Sequence, residues 1–223
     1  MNAKEIIEEA KRTGNSYHTL TFPDGTKLKG VWDMSKYLEN YKIPDDLTGK
    51  TVLEIGPAAG YFSFEFARRG AKVVGLDYKR NLVREAANEL MNTNVEFVTK
   101  DLFDLDESFG KFDIVFCSNV LIHVSDIFTA LRKIKSVTKE KAIICTLVIK
   151  NSKYDEFPVA YFVGEEHEKE RGGFWSYWRP NLKCFVKMME AAGFSRVEEI
   201  STFMATSEDE KIKVFDGVVH GYV

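Results

Sequence analysis

Glu54, the loop Gly56-Pro57-Ala58-Ala59-Gly60 and Asp77 carry the most legible chemistry in this sequence. The loop follows the apolar run TVLEI, and Asp77 ends the next core run, KVVGLD, 21 residues after Gly56. In nucleotide-binding α/β units an acid at that spacing faces the hydroxyls of a ribose, and the glycine loop receives what the ribose carries. A dinucleotide asks for G-x-G-x-x-G, whose second glycine admits a pyrophosphate and whose third lets helix and strand pack closely. Ala58 and Tyr61 hold those two positions, and Gly60 comes one residue too early. No Gly-Lys-Ser or Gly-Lys-Thr follows, so a P-loop is excluded. The residues ask for a ribose-bearing ligand with no phosphate at the loop, and S-adenosyl-L-methionine meets that requirement.

On that reading Gly56, Ala58 and Gly60 cradle the amino-acid end of the ligand, and Glu54 faces its ammonium group directly or through water. Asp77 takes the ribose, with Tyr78 beside it. Asp101 accepts from the adenine amino group, and Leu102 packs on the adenine plane. Ser118 and Asn119 stand at the end of the fourth core strand beside the cofactor. Plainer roles exist for two of these: Glu54 as a strand-end charge met by backbone, and Asp101 as the N-cap of the following turn.

The elements that must hold these residues follow from periodicity. Apolar runs predict strands at 51–55, 72–76, 95–99, 112–117 and 142–149, and amphipathic stretches predict helices at 60–69, 79–91 and 126–137. Apolar strands alternating with helices imply a parallel sheet covered on both faces. Residues 49–223 are expected to form this domain, with an aromatic-rich insertion at 150–181. A helix, LKCFVKMMEAAGF, and two closing strands follow, so the sheet is expected to be seven-stranded with its last strand antiparallel. Residues 1–48 read as an N-terminal lid: a helix over 2–12, a hairpin at Asp24-Gly25 and a short helix in MSKYLENY.

Composition narrows the rest. The 223 residues are 44% hydrophobic and carry a net charge of −3, so no overall basic field advertises nucleic acid. No apolar run approaches membrane-spanning length or signal-peptide type. Cys117, Cys145 and Cys184 are scattered and read as buried thiols in a reducing compartment, which points to the cytoplasm. His18, His123, His167 and His220 show no metal-ligand spacing, so no metal is expected. The oligomeric state stays open.

VLEIGPAAG resembles the first motif of class I S-adenosylmethionine-dependent methyltransferases, with Ala58 at the usual middle glycine. FDIVFCSNVLIHVSDIFTALRKI resembles their fourth strand and following helix, and the likeness runs over about residues 50–200. It implies a Rossmann-like seven-stranded class I methyltransferase sheet, a methyl-transfer activity and S-adenosyl-L-homocysteine as product. YHTLTFPDGTKLKGVWD and FWSYWRPNLKCFVKMMEAAGF further resemble the family of tRNA wobble-uridine (mo5U34) methyltransferases and carboxymethyltransferases. In that resemblance, carboxymethyl-transferring members hold the extra carboxylate of their donor with a lysine just before the lid tryptophan. Val31 stands there, with Lys29 two residues away. An apolar side chain leaves a buried carboxylate unpaired. Ordinary S-adenosyl-L-methionine is therefore expected rather than carboxy-S-adenosyl-L-methionine.

The acceptor side is expected to draw on His123, just past the fourth strand, and on Tyr177, which matches a tyrosine lining the pocket in the resembled family. His123 suits a base or substrate contact, and equally a packing histidine. Trp175, Trp178 and Arg179 could form an aromatic wall with an anion partner, or simply fold onto the core. Trp32, with Tyr17 and His18, could cover the site from the lid. The leading reading is methyl transfer to an O or N of a small-molecule acceptor, since a tRNA binder usually adds a further domain or basic stretch. tRNA U34 modification stays open, supported by the resemblance and by Lys150, Lys153, Arg171 and Arg179. A non-catalytic S-adenosylmethionine-binding protein is a third reading. An oxidoreductase comes last, because Tyr61 blocks the dinucleotide loop.

Overall fold

The computed structural model describes residues 1–150, 153–163 and 176–223. Helix α1 (Ala3–Thr13) leads into a hairpin of β1 (Leu20–Thr21) and β2 (Lys27–Leu28), then two 3-10 turns, Met34–Lys36 and Leu38–Tyr41. The alternating core follows: β3 (Thr51–Ile55), α2 (Tyr61–Arg68), β4 (Lys72–Asp77), α3 (Leu82–Met91), β5 (Glu96–Thr99), β6 (Phe112–Ser118), α4 (Ile127–Ser136) and β7 (Thr138–Leu147). Within the insertion, β8 (Ala160–Phe162) pairs antiparallel with β9 (Trp178–Pro180). Helix α5 (Leu182–Ala191) and the long hairpin β10 (Arg196–Thr206) and β11 (Lys213–Tyr222) close the chain.

The seven core strands lie in the order β10-β11-β7-β6-β3-β4-β5. Strands β3 to β7 pair in parallel, whereas β11 is antiparallel to both β7 and β10. The expected seven-stranded sheet with an antiparallel last strand is the observed one. Its order reverses beside β3, so the carboxyl ends of β3, β4 and β6 open the crevice where ligands of doubly wound sheets bind.

Boundaries shifted where side chains cap. The sequence pattern starts a helix at 79, but α3 starts after Asn81, whose side chain accepts from the Arg84 amide. Asn2, Asp126 and Asn181 cap α1, α4 and α5 in the same way, each contributing about 1 kcal/mol. β7 begins four residues earlier than its apolar run, because Thr138 already pairs with Phe112 of β6.

Residues 1–48 share a hydrophobic cluster with the sheet. Ile6, Leu28, Tyr41 and Leu47 are buried in one cluster with Phe62, Phe66 and Phe116. Tyr41 is wholly buried, packs edge-on against Phe62, and its backbone oxygen meets His220 Nε2 at 2.9 Å. His18 and Trp32 form a parallel bridge; the Thr19 amide donates to the Trp32 carbonyl at 2.8 Å. A Cβ on Gly30 would fall 2.2 Å from the His18 carbonyl carbon, so only glycine lets these two segments approach. Among the described residues no helix is long and apolar enough to cross a membrane.

Candidate active site

The loop after β3 is held in a left-handed trace. Gly56 has φ 72°, Ala58 47° and Gly60 95°. A Cβ on Gly56 would lie 2.3 Å from Val120 Cγ2, so glycine is required by space as well as by φ. Ala58 occupies a left-handed position where glycine is the easier residue, so the departure from the glycine-rich motif is held at a backbone cost. Gly60 caps α2 without any side-chain hydrogen bond, leaving the first amides of that helix turned toward the loop.

Arg84 organises this corner, and the motif-based reading of the sequence missed it. It is 1% exposed on the inward face of α3. Its Nη1 donates to Asp77 Oδ2 at 2.7 Å and to the Ala58 carbonyl at 2.9 Å. Asn81 Nδ2 donates to the same carbonyl at 3.2 Å. The arginine thus fixes one carboxylate oxygen of Asp77 and the Ala58 peptide of the loop together. The one signal available beforehand was its position among Val83, Ala86 and Ala87 on the apolar face of an amphipathic helix.

The remaining residues assigned to the adenosine side lie along the ends of β4 and β5. Tyr78 is 66% exposed, with Lys79 Nζ 4.8 Å above its ring. The Lys100 amide donates to the Asp77 carbonyl at 2.9 Å and ties the two strand ends. Asp101 accepts from the Phe103 amide at 2.9 Å, so it caps the turn Leu102–Asp104 while its carboxylate stays at the surface. Leu102 is buried beside it.

A second group converges on the other side of the loop. A cavity of about 50 Å³ is lined by Tyr17, His18, Trp32 and Met34 from the N-terminal segment and by Glu54, Gly56, Ser118 and Asn119 from the sheet edge. His123 and Asp216 complete its polar lining. Glu54 is 2% exposed and accepts from the Ser63 hydroxyl. Burial pushes its carboxyl up to about 7, against the lowering pull of Ser63 and the Arg84 charge. Ser118 Oγ lies 3.1 Å from the Tyr41 hydroxyl, and Asn119 Nδ2 donates to Asp216 Oδ1 at 3.1 Å. Asp216 was not singled out from sequence. It lies in β11, and only the pairing of β11 with β7 brings it to the site.

The insertion contributes differently. The Tyr177 amide donates to the Ile122 carbonyl at 2.7 Å, and Trp178 Nε1 donates to the Ser125 carbonyl at 2.8 Å. These bonds clip the returning chain to the turn that carries His123. The Tyr177 ring lies 6.2 Å from the Phe162 ring, and Arg179 pairs with Tyr161 in the short hairpin. Tyr177, Trp178 and Arg179 are not among the described residues lining the cavity. Trp175 lies outside the described residues.

This strand order, with β11 antiparallel and a glycine-bearing loop and acid at the crevice, is the class I methyltransferase architecture. The chain belongs to the family described as Methyltransferase domain, which it matches over residues 46–174. Among curated proteins it is 26% identical to a tRNA U34 carboxymethyltransferase of Campylobacter jejuni subsp. jejuni serotype O:6, over 183 residues. That match covers 76% of this chain and 57% of the relative, so the chain spans little more than half the length of the relative. Among solved structures, the N-terminal domain of EvdMO1 with S-adenosylhomocysteine bound matches with a TM-score of 0.68 at 22% identity. The match covers 100% of this chain and 98% of that one. A 1,6-didemethyltoxoflavin-N1-methyltransferase of Burkholderia thailandensis matches with a TM-score of 0.57 at 14% identity, over 78% of this chain and 72% of that one.

Proposed function

We propose that this methyltransferase uses S-adenosyl-L-methionine and moves its methyl group to an O or N of a small-molecule acceptor. The observation that carries the reading is the division of the crevice by the Gly56 loop. On one side Asp77, held by Arg84, and the ends of β4 and β5 suit an adenosine. On the other a narrow cavity, roofed by Tyr17, His18, Trp32 and Met34, suits a small nucleophile. The residues fit the donor: Gly56 admits no Cβ, the α2 N-terminus carries no side-chain cap, and Asn119 Oδ1 is buried at the cavity without a partner. When bound, S-adenosyl-L-methionine supplies the activated methyl, and the protein supplies alignment and a closed site. The S-adenosylhomocysteine bound in EvdMO1, and the 1,6-didemethyltoxoflavin and S-adenosylhomocysteine bound in the Burkholderia enzyme, support this reading.

Residues 1–48 act on this reading as a lid that is packed in place rather than hinged. Residues 49–223 form the catalytic domain. His123, which lines the cavity, is the first choice for contact with the acceptor. Tyr177 braces the turn that carries it.

Calorimetry with S-adenosylhomocysteine, followed by transfer of labelled methyl to a panel of hydroxyl- and amine-bearing small molecules, tests the proposal. Binding of the product with turnover on members of the panel supports it; absence of binding removes it. The U34 reading is favoured by the Campylobacter relative. Filter binding of bulk tRNA across salt separates the two, because phosphate-driven binding weakens steeply as salt rises. Salt-sensitive tRNA binding with methyl transfer to tRNA would replace the small-molecule reading.

A further inference from the structure

The cavity beside the Gly56 loop holds two buried acids, Glu54 and Asp216, and none of the described residues lining it is lysine or arginine. Asp216 is 1% exposed. It stands opposite Leu147 of β7 and Phe203 of β10, so apolar neighbours flank it along the sheet. The hydrogen bond from Asn119 Nδ2 leaves acceptor capacity on the carboxylate. Two further polar atoms in the same wall, His18 Nδ1 and Asn119 Oδ1, are buried without partners. Burial lowers His18 to about 3, so its ring is neutral and offers no positive charge. Such a wall is unsatisfied toward a ligand, rich in acceptors and short of cations.

A carboxylate placed here would face like charge where little water screens it and would find no cation to pair with. An N–H or O–H would instead satisfy Asp216. We propose that Asp216 sets the charge selectivity of the transfer pocket, admitting an acceptor that presents an N–H or O–H and refusing a carboxylate on donor or acceptor. This inference rests on the S-adenosyl-L-methionine reading above. In the step it serves, the acceptor oxygen or nitrogen gains the methyl carbon as the bond from sulfur to that carbon breaks. The bonding pair stays on the sulfur, and the acceptor proton passes to the Asp216 carboxylate and then to solvent.

The charge state of Asp216 is tunable. Burial pushes its carboxyl up to about 7, against the lowering effect of the Asn119 amide. The titratable groups around it are Tyr17 and His18 from the N-terminal segment, Tyr41, and Cys145 of β7, with Glu54 and His123 across the cavity. Refusal of a carboxylate should therefore be strongest above neutrality and relax in mild acid.

The test is calorimetric titration of the full chain with three ligands: S-adenosylhomocysteine, S-adenosyl-L-methionine and carboxy-S-adenosyl-L-methionine. At about pH 8.5 the wild type should bind carboxy-S-adenosyl-L-methionine at least ~10-fold more weakly than S-adenosyl-L-methionine, and at about pH 5.5 the gap should close by ~3-fold or more. Asp216→Asn should hold S-adenosylhomocysteine within about 2-fold, narrow the gap at high pH by ~5-fold or more, and lose its pH dependence. Equal or tighter binding of the carboxylated donor by wild type overturns the proposal. A pH effect that persists in Asp216→Asn assigns it to Glu54 and overturns it as well. Should the variant not fold, the two-pH comparison on wild type still decides, since a gap that does not close in acid refutes a titrating carboxylate. Failure of wild type to bind S-adenosylhomocysteine at all would remove the cofactor reading instead.

Discussion

Arg84 Nη1 lies 2.7 Å from Asp77 Oδ2, and the same nitrogen lies 2.9 Å from the Ala58 carbonyl oxygen. One buried cation therefore couples the acid at the end of β4 to the loop after β3. Arg84→Met leaves Asp77 without its counter-charge and strips the loop carbonyl of a charged donor. Unfolding stability in urea should fall by about 3 kcal/mol, the cost of breaking a buried pair from one side. Affinity for S-adenosylhomocysteine should fall by ~10-fold or more, because both sides of the proposed adenosine site move. Arg84→Lys keeps the charge but not the fork, and should recover only part of each loss.

The loop offers a paired test. Gly56→Ala meets Val120 Cγ2 at 2.3 Å and must hold φ 72° with a Cβ. It should cost about 2–4 kcal/mol and most of the S-adenosylhomocysteine affinity. Adding Val120→Ala relieves the contact but not the backbone, so it should restore about half of the stability. Ala58→Gly acts in the other direction. It releases a left-handed alanine at φ 47° and should stabilise the chain by up to about 1 kcal/mol with affinity unchanged. A loss of stability on Ala58→Gly would show that the methyl packs usefully.

Glu54 gives a pH signature. Its carboxyl is raised from an ordinary 4.5 to about 7 by burial. Across that window the folded chain holds a proton that the unfolded chain has lost, so stability falls as pH rises from about 4.5 to 7. Below both values the effect vanishes, and above both the full penalty is present. Glu54→Gln carries no such proton. Relative to wild type it should gain about 2–3 kcal/mol between about pH 4.5 and 8. His18 works in the opposite sense, since its ring is lowered to about 3 and its burial penalises acid. The difference between wild type and the Glu54 variant cancels that contribution.

His123 and Tyr177 separate by position. His123 lines the cavity, whereas Tyr177 is joined through its amide to the Ile122 carbonyl and packs toward Phe162. Once an acceptor is in hand, His123→Gln should lower kcat/KM by about 10-fold with S-adenosylhomocysteine affinity unchanged, the range of a lost hydrogen bond to the acceptor. Tyr177→Phe should stay within about 3-fold of wild type, because the backbone bond that braces the turn survives. Reversal of that order would move the acceptor toward the insertion.

The sequence by itself determined the elements and the loop-and-acid unit that borders the crevice. Apolar runs, turn residues and caps are local, and they set β3, β4, β6, α2, α4 and the Asp24-Gly25 hairpin within a few residues. The spacing from Gly56 to Asp77 is local too, since it spans a single strand–helix–strand unit. Tertiary structure alone decided the rest. Asp216 joins Asn119 across 97 positions, Tyr41 meets Ser118 across 77, and Arg84 turns inward to Asp77 because α3 packs over the β3 loop. No period in the sequence encodes these meetings. The first follows from the insertion of β11 between β7 and β10, the others from the packing of the N-terminal segment and of α3 on the sheet, and all from burial that makes each isolated polar group find a partner or wait for a ligand.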